Sequence, residues 1–593
     1  MSAKVINKNE VKKSLKIPGL PGNLVAAMTM KIAGLDKLNE LYDRLQNYKG
    51  VEFADKLMEA LDVTLNVNAA GLENIPKEGG VVITSNHPFG GLDGMAVLSI
   101  LGHIRPDVKI LTNFVLSKIP NISEHFIAVN TTYGFGRFTT SSISGLRQAE
   151  EHLQKGGALV LFPAGEVSSW NTQGKVVEDA EWAIYLCKQI RKSNCPVVPL
   201  YFHGKNSKYF QWLGRISTKL SDLRFTGELF DKKGKEIKVR IGSLIQHSEL
   251  AKFQDDKSVA KFLRSRSYLL EADVYEKDES TYTCKLIDPV PVDLILKEMR
   301  ENPASHLFDV GSLSCYLFSY SQIPNLMREI ALRREEAFRA VGEGTNNAMD
   351  TDSYDEYYLH LVLWDYENQD LVGAYRIGLG KEILAQRGLK GFYTDSLFRY
   401  SDKFSEVLSK SAELGRSFVC VNHQKDTLAL LLLLKGLLYT MVKYPEYKYL
   451  IGPVSISSWY PMLYRSMMIY YLRKFHSNPD YAQMINPKNP FVQDFGRVDA
   501  EALLHGKMNN LEAFDRYLLK ISGGQYRLPA LLKKYIKMGA KIIEYNVDPD
   551  FNNCVDGLIM LALEDIPTDD IDSLSKEFED RTPIYRRFYG KNL

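Results

Sequence analysis

The sequence is poor in cysteine, in net charge and in long apolar runs. Cysteine occurs six times in 593 residues, at Cys187, Cys195, Cys284, Cys315, Cys420 and Cys554. No two stand at a metal-ligand spacing and the scatter offers no disulfide framework, so a reducing cytoplasm is the expected setting and no metal site is expected. Basic and acidic residues nearly cancel, 74 against 72, for a net charge of +2. That balance lacks the polyelectrolyte signature of a nucleic-acid binder. The most apolar window, residues 427–442, is interrupted by Lys435 and falls short of the ~20 residues a membrane span needs. It reads as a buried helix. Residues 1–20 lack the apolar stretch of a secretory signal. There is no internal repeat, and no alternation long enough for a membrane barrel, which argues against a pore former.

What is present is an ordinary globular composition, 45% hydrophobic and 25% charged, at a length that calls for two to four domains. Residues 1–54 read as a basic, helical N-terminus: over residues 1–20, Lys4, Lys8, Lys12, Lys13 and Lys16 face a single acid, Glu10, and alternate with apolar residues. Such a segment suits an interface with anionic lipid; the alternative is a solvated tail. From Val81 onward short apolar strands alternate with helical periodicity, the pattern of a parallel-rich α/β sheet. A softer stretch containing Pro289 and Pro291 marks a linker over 271–305. A second α/β pattern follows over 306–565, and 566–593 reads as a tail.

Two stretches of the first half carry chemistry. Asn86-His87-Pro88-Phe89-Gly90-Gly91-Leu92-Asp93-Gly94 follows the apolar run 81–84. A histidine leaves a strand, the chain turns through Pro and two Gly, and a carboxylate returns at the start of a helix. An imidazole is mostly neutral near pH 7 and accepts a proton from an attacking alcohol; a carboxylate fixes its tautomer and stabilises the imidazolium. Leu159-Val160-Leu161-Phe162-Pro163-Ala164-Gly165-Glu166-Val167-Ser168 is a strand that stops at Pro and turns at Gly. Together the two resemble the glycerolipid (lysophospholipid) acyltransferase family over roughly residues 55–260, with Val198-Pro199 matching a later block. The resemblance implies transfer of a fatty acyl group from a thioester to a lipid hydroxyl, with His87 as base and Asp93 as its orienting partner. Gly165, Glu166 and Ser168 become candidates for acceptor binding; the alternative for Glu166 is an acid at a helix start. Three departures stand out. Five residues rather than four separate His87 from Asp93, Ala164 replaces the family's Glu, and the family's Arg block is reduced to Asn130 or Arg137. The first two resemble the branch that makes ornithine and glycine lipids.

The second half has no such dyad. It carries an acidic loop, 349–356, then Leu371-Val372-Gly373-Ala374-Tyr375-Arg376, Glu413-Leu414-Gly415-Arg416, and Asp548-Pro549-Asp550-Phe551-Asn552 with Asp556. These resemble the GNAT-like (hemolysin-like) N-acyltransferases that attach a 3-hydroxy fatty acid to the amine of ornithine or glycine. An amine must be neutral to attack, so a base is needed: Glu413 is the expected catalytic carboxylate. Asp352 is the second candidate carboxylate, expected in substrate binding, and Arg376 and Arg416 are expected to fork onto a carboxylate or phosphate; the alternative for each arginine is a structural salt bridge. His423 is a further candidate, against a merely exposed loop histidine. No Gly-rich pyrophosphate loop follows the strand at 416–421. The resemblance therefore implies an acyl carrier protein rather than coenzyme A as donor, with no bound cofactor.

Taken together, the resemblances imply a fused aminolipid synthase, peripheral on the inner face of the cytoplasmic membrane. Its partners would be acyl carrier protein, an amino-acid acceptor and a membrane lyso-lipid. Two alternatives stay open: a lysophospholipid acyltransferase with an accessory GNAT-like domain, and a non-catalytic membrane scaffold.

Overall fold

A computed structural model describes residues 34–112, 119–129, 140–216, 225–272, 282–506, 510–576 and 581–590. The basic segment 1–33, Asn130 and Arg137 lie outside the described residues. The architecture is α/β throughout, in two compact units: Met1–Asp273 with Phe495–Gln525, and Val274–Asp494 with Tyr526–Leu593. No described helix is long and apolar enough to cross a membrane.

The change of unit at Asp273 falls inside the expected linker 271–305, but the other expected divisions are not edges of these units. Helices Leu35–Leu45 and Gly50–Ala60 do not form a separate N-terminal piece, because Leu41, Leu45, Phe53 and Leu57 enter the same core as Val81 and Ile83. The expected linker contains helix Val292–Glu301, whose Ile295 and Met299 are buried in the second unit's core. The expected tail contains helices Thr568–Leu574 and Thr582–Tyr589, anchored by Ile571, Leu574, Ile584 and Phe588. Prolines punctuate the local pattern, but burial of about 1.5–3 kcal/mol per large apolar side chain decides which segments join a core.

The first unit is built on a seven-stranded sheet. Its strands are β1 (Thr64–Val67), β2 (Val81–Ser85), β3 (Lys109–Thr112), β4 (Phe126–Ala128), β5 (Ala158–Leu161), β8 (Val197–Phe202) and β9 (Glu236–Ile241), in the order β1-β9-β8-β2-β5-β3-β4. Every pair is parallel except β8 with β9. A small hairpin of β6 (Ser169–Asn171) and β7 (Val176–Glu178) follows β5. Strands β2, β5 and β8 are buried along their whole length, which is why they read as unbroken apolar runs rather than alternations. Their C-terminal ends carry Asn86-His87, Phe162 and His203, so the loops that carry the chemistry all leave the same edge of the sheet.

The second unit is an eight-stranded sheet, β10 (His306–Val310), β11 (Leu313–Ser319), β12 (Leu359–Asp365), β13 (Asp370–Leu379), β15 (Ser411–Val419), β16 (Tyr449–Ile456), β19 (Cys554–Ala562) and β18 (Lys541–Asp548), in that spatial order. A separate pair joins β14 (Phe398–Tyr400) to β17 (Ile485–Pro487). All neighbours in the large sheet are antiparallel except β15 and β16, which run parallel and pair only over Ser411–Glu413 against Tyr449–Ile451. Beyond that point each turns to its outer partner, β13 or β19, and the sheet forks. Gly452 stands at the fork: a Cβ there would lie 2.1 Å from the Leu414 carbonyl oxygen. Gly452→Ala is therefore expected to destabilise the second unit by about 1–3 kcal/mol, the usual cost of overpacking a tight site, read as a lower midpoint for one transition in denaturant unfolding of the full chain.

Candidate active sites

In the first unit β2 ends at Ser85 and hands the chain to the His87 turn. Asn86 fixes that turn to the neighbouring strand: its side-chain amide donates to the Phe202 carbonyl (2.9 Å) and its side-chain carbonyl accepts from the Phe202 amide (2.8 Å). Gly90 then adopts φ 74°, a left-handed value that favours glycine, and helix Gly91–Leu101 starts with Asp93 in its first turn. The Asp93 carboxylate folds back. Its Oδ2 accepts from the amides of Phe89 (2.9 Å) and Gly90 (3.0 Å) and meets His87 Nδ1 at 2.8 Å. The extra residue between His87 and Asp93 is thus absorbed as a helix cap, and the pair is in contact. With Nδ1 held by the carboxylate, Nε2 is the ring nitrogen left for substrate. Burial pushes the Asp93 carboxyl up, against the opposing pull of His87 and the two amides.

Phe162, the last residue before the Pro163-Ala164-Gly165 turn, stacks on the imidazole with ring centres 4.3 Å apart. Gly165 takes φ 73° and Ser168 returns to the histidine, its amide donating to the His87 carbonyl at 2.9 Å. The Ser168 hydroxyl donates to Asp179 Oδ1 (2.6 Å), which also accepts the His87 amide (3.1 Å); Trp182 Nε1 donates to Asp179 Oδ2 (3.0 Å). Asp179 is buried and holds the backbone of the histidine loop. The geometry gives Ser168 this positioning role. Glu166 is exposed, yet enough protein crowds its carboxyl, with Asp179 nearby, to raise its pKa.

In the second unit the expected residues divide into two groups. Asp352, Arg376 and Arg416 lie together in a charge-balanced cluster with Arg334, Asp350 and Asp355. Arg376 meets Asp352 (2.5 Å) and Asp355 (3.0 Å), Arg416 meets Asp350 and Asp352 (3.0 Å each), and Arg334 meets Asp350 (2.8 Å) and Asp355 (2.9 Å). Burial opposes ionisation of Asp352 and Asp355, but the guanidinium charges outweigh it and hold both carboxyls below the usual range. Arg376 is also ringed by Tyr354, Tyr358 and Tyr393 at 5.3–5.6 Å, and its Nε and Nη2 are buried with no hydrogen-bond partner among the described residues. Arg416 differs. It lies on the bulge where the β13–β15 register shifts, at φ 48°. Bulges of this kind re-aim a side chain, and here the guanidinium lies 4.4 Å from the Phe551 ring centre.

Glu413 is closely held. Its carboxylate accepts the Tyr393 and Thr394 amides (2.9 Å each) and the hydroxyls of Tyr358 and Thr394. Four donors fill its acceptor sites, the residue is buried, burial raises its carboxyl, and its bonds tie Tyr358, Tyr393 and Thr394 to β15. His423 pairs with Asp370 at 3.5 Å. Near Arg416 there is instead a group of acids that the motif 548–556 half announced. Glu343, Asp548 and Asp556 are all buried. Ser455, on the forked part of β16, donates to Glu343 (2.7 Å) and pairs in register with Asp556, and Tyr393 donates to Asp548 (3.3 Å). Burial raises Asp556, and repulsion from Asp548 and Glu343 adds to it. Burial pushes Glu343 up to about 7, opposed by the Ser455 hydroxyl.

Comparison with known proteins follows this division. A family model described as Acyltransferase matches residues 14–276, and one described as Acetyltransferase (GNAT) domain matches residues 333–434. A glycine N(alpha)-acyltransferase of Bacteroides thetaiotaomicron is 30% identical over 48% of this chain and 88% of its own length. A lyso-glycine lipid O-acyltransferase of the same organism is 30% identical over 42% of this chain and 89% of its own. The chain belongs to both acyltransferase families. Counterparts of the two from Phocaeicola vulgatus match at 28% and 29% identity, over 90% and 93% of their own lengths. Among solved structures, the 1-acyl-sn-glycerophosphate acyltransferase PlsC of Thermotoga maritima is similar at 17% identity and a TM-score of 0.25, covering 42% of this chain and 90% of that one.

Two groups of this fused acyltransferase escaped the sequence reading. Asp179 sits 92 positions from His87 with no motif around it, and Glu343 lies in a polar loop with nothing in its spacing to mark it. The raised carboxyl of Glu343 has a thermodynamic signature. A folded-state pKa above the unfolded value costs stability once the unfolded chain ionises, so the penalty grows as pH rises from the ordinary carboxylate range through about 7. Glu343→Gln removes it. The variant is expected to unfold a few degrees higher than the parent at pH 8 and at nearly the same temperature at pH 4.5, measured by calorimetry.

Proposed function

We propose that the chain builds a diacylated aminolipid in two consecutive steps. The second unit joins a 3-hydroxyacyl group to the amine of a small amino acid, glycine by analogy with the named relatives; the first unit then esterifies the 3-hydroxyl of that lyso-lipid. What carries the reading is that one polypeptide matches nearly the whole length of two separate acyltransferases whose names describe successive reactions. Tethering both steps raises the local concentration of an amphiphilic intermediate.

In the O-acylation, His87 Nε2 takes the proton of the lyso-lipid hydroxyl as its oxygen attacks the thioester carbonyl. Asp93 holds the imidazolium that forms. The tetrahedral intermediate collapses, the C–S bond breaks and the thiol leaves with the proton that His87 returns. In the N-acylation, the fork between β15 and β16 leaves facing strand edges without each other as partners. An extended amide-bearing arm such as the donor's pantetheine suits such edges. The group of Glu343, Asp548 and Asp556 suits an ammonium, and Glu343 is the group to accept its proton. Acyl carrier protein is the proposed donor, on the absence of a Gly-rich loop after β15.

A lyso-lipid acceptor implies a bilayer, and the first unit offers a face for one. Helix Lys208–Ile216 packs against the histidine site, with Gln211 donating to the Ser168 carbonyl (3.4 Å) and Arg215 lying 4.6 Å over the Trp170 ring. It exposes Tyr209 (54%) and Trp212 (53%), and the adjacent hairpin exposes Val176. Lys175, Lys205, Lys208 and Arg215 surround them at the surface. Amphipathic aromatic rings within a basic rim fit an anionic lipid surface.

Two experiments test these proposals. In a heterologous host, His87→Ala should abolish the diacylated lipid while the mono-acylated amino acid accumulates, read by lipid mass spectrometry; loss of both products from a folded, soluble variant overturns the division of labour. Vesicles of phosphatidylglycerol should shift tryptophan emission to the blue, vesicles of phosphatidylcholine much less. The paired substitution Trp170→Phe, Trp212→Phe should remove most of the shift, since the other three tryptophans, Trp182, Trp364 and Trp459, are buried. A shift that survives this substitution rejects the assignment of the face.

A further inference from the structure

The segment Phe495–Gln525 lies within the second half of the sequence, yet it belongs to the first compact unit. Its attachment is specific. Helix Ala500–Leu503 is capped by Asp499, whose amide donates to Ser265 Oγ (2.9 Å) and whose carboxylate pairs with Lys261 (3.1 Å). His505 stacks on Phe253, and Lys520 pairs with Glu249 (2.7 Å). The most densely bonded residue is Arg497. Its guanidinium donates to the Val177 carbonyl (2.7 Å) and to Tyr201 Oη (2.8 Å), forks onto Glu271, and lies 4.8 Å from the Tyr268 ring centre. Its own carbonyl accepts from Arg264 (3.0 Å), which also binds Glu178 (2.6 Å) and the Asp179 carbonyl (3.3 Å).

Each of these partners leads toward the histidine. Val177 and Glu178 form the strand that delivers Asp179. Tyr268, under the Arg497 guanidinium, accepts the Asp179 amide at 2.7 Å, and Asp179 holds the His87 amide and the Ser168 hydroxyl. A backbone donor fixed in this way sets where the imbalance between a productive and an unproductive imidazole falls: a shift of about 1 Å in a reacting group costs on the order of 100-fold in rate.

We propose that Arg497 is a positioning residue of the O-acyl-transfer site, supplied by a segment of chain that lies inside the N-acyltransferase sequence. It acts through Tyr268, Val177 and Asp179, and touches neither substrate nor the reacting atoms. This rests on the O-acylation assigned above to His87. The first unit's chemistry then requires residues from both halves of the sequence.

The test uses the full chain with a thioester donor and a lyso-aminolipid acceptor, each acylation measured separately. Arg497→Ala is expected to lower kcat for O-acylation about tenfold with KM for donor and acceptor within twofold, while the rate of N-acylation and the unfolding midpoint stay at the parent's values. Arg497→Lys, which keeps a cation beside Glu271 but cannot fork between Val177 and Tyr201, is expected to recover part of the loss. Parent-like kcat in Arg497→Ala overturns the proposal. So does a loss that the lysine variant does not relieve and that tracks a lower unfolding midpoint, the mark of a purely structural role. If the parent chain itself shows no O-acylation, the assignment to His87 fails instead.

Discussion

The first unit depends on one carboxylate kept out of water. Asp93 is buried to the last atom, which by itself opposes its charge. Two backbone amides of the same turn and the imidazole of His87 offset that cost at one oxygen. The arrangement explains the glycine at position 90: its left-handed backbone reverses the chain tightly enough to bring the Phe89 and Gly90 amides onto the Asp93 carboxylate. Around that core the site is assembled from strand ends. Asn86 locks β2 to β8, Phe162 lays the end of β5 against the imidazole, and Asp179 fixes the backbone from a third side. A histidine whose ring and main chain are both held loses little further freedom when substrate arrives.

The second unit solves a different problem. Six charges meet in its interior, and they cancel pairwise through Arg334, Arg376 and Arg416 against three aspartates. Beside this neutral cluster sits a group of acids that cannot all be ionised together. The contrast separates structure from chemistry. Asp352 and Asp355 in the neutral cluster are held below the ordinary range, whereas Glu343 and Asp556 are held above it. Groups displaced upward toward neutrality suit proton transfer, and groups pinned by arginines suit architecture.

Local pattern carried the first half of the molecule well. Buried parallel strands are written as apolar runs, so β2, β5 and β8 and the loops after them were legible, and with them His87, Asp93 and the Phe162 turn. The same reading failed where function rests on long-range closure. Asp179 meets His87 only because a hairpin folds back over the sheet, and no periodicity encodes that meeting. Glu413 is singled out by the need of an amine for a base, but the four donors that converge on it from Tyr358, Tyr393 and Thr394 are not visible in the sequence. Strands β18 and β19 also escaped, although the Asp548–Asp556 turn between them was noticed as a motif. The change of unit at Asp273 falls inside the expected linker, but helix Val292–Glu301 within that stretch joins the second core, since proline-rich punctuation marks a change in local conformation and not the edge of a hydrophobic core.

The placement of Phe495–Gln525 also has a meaning in time. A chain leaves the ribosome from its N-terminus, and domains usually fold as they emerge. Here the main body of the first unit is complete at Asp273, but its last segment ends at Gln525. At typical synthesis rates of about 5–20 residues per second the interval is on the order of 10–50 s. Through that interval the faces of Phe253, Tyr268 and Ser265 that the late segment covers have no partner from their own chain. Helix Asp256–Tyr268 must hold its place until the covering strap arrives, so the nascent first unit waits, nearly folded, on the synthesis of its successor.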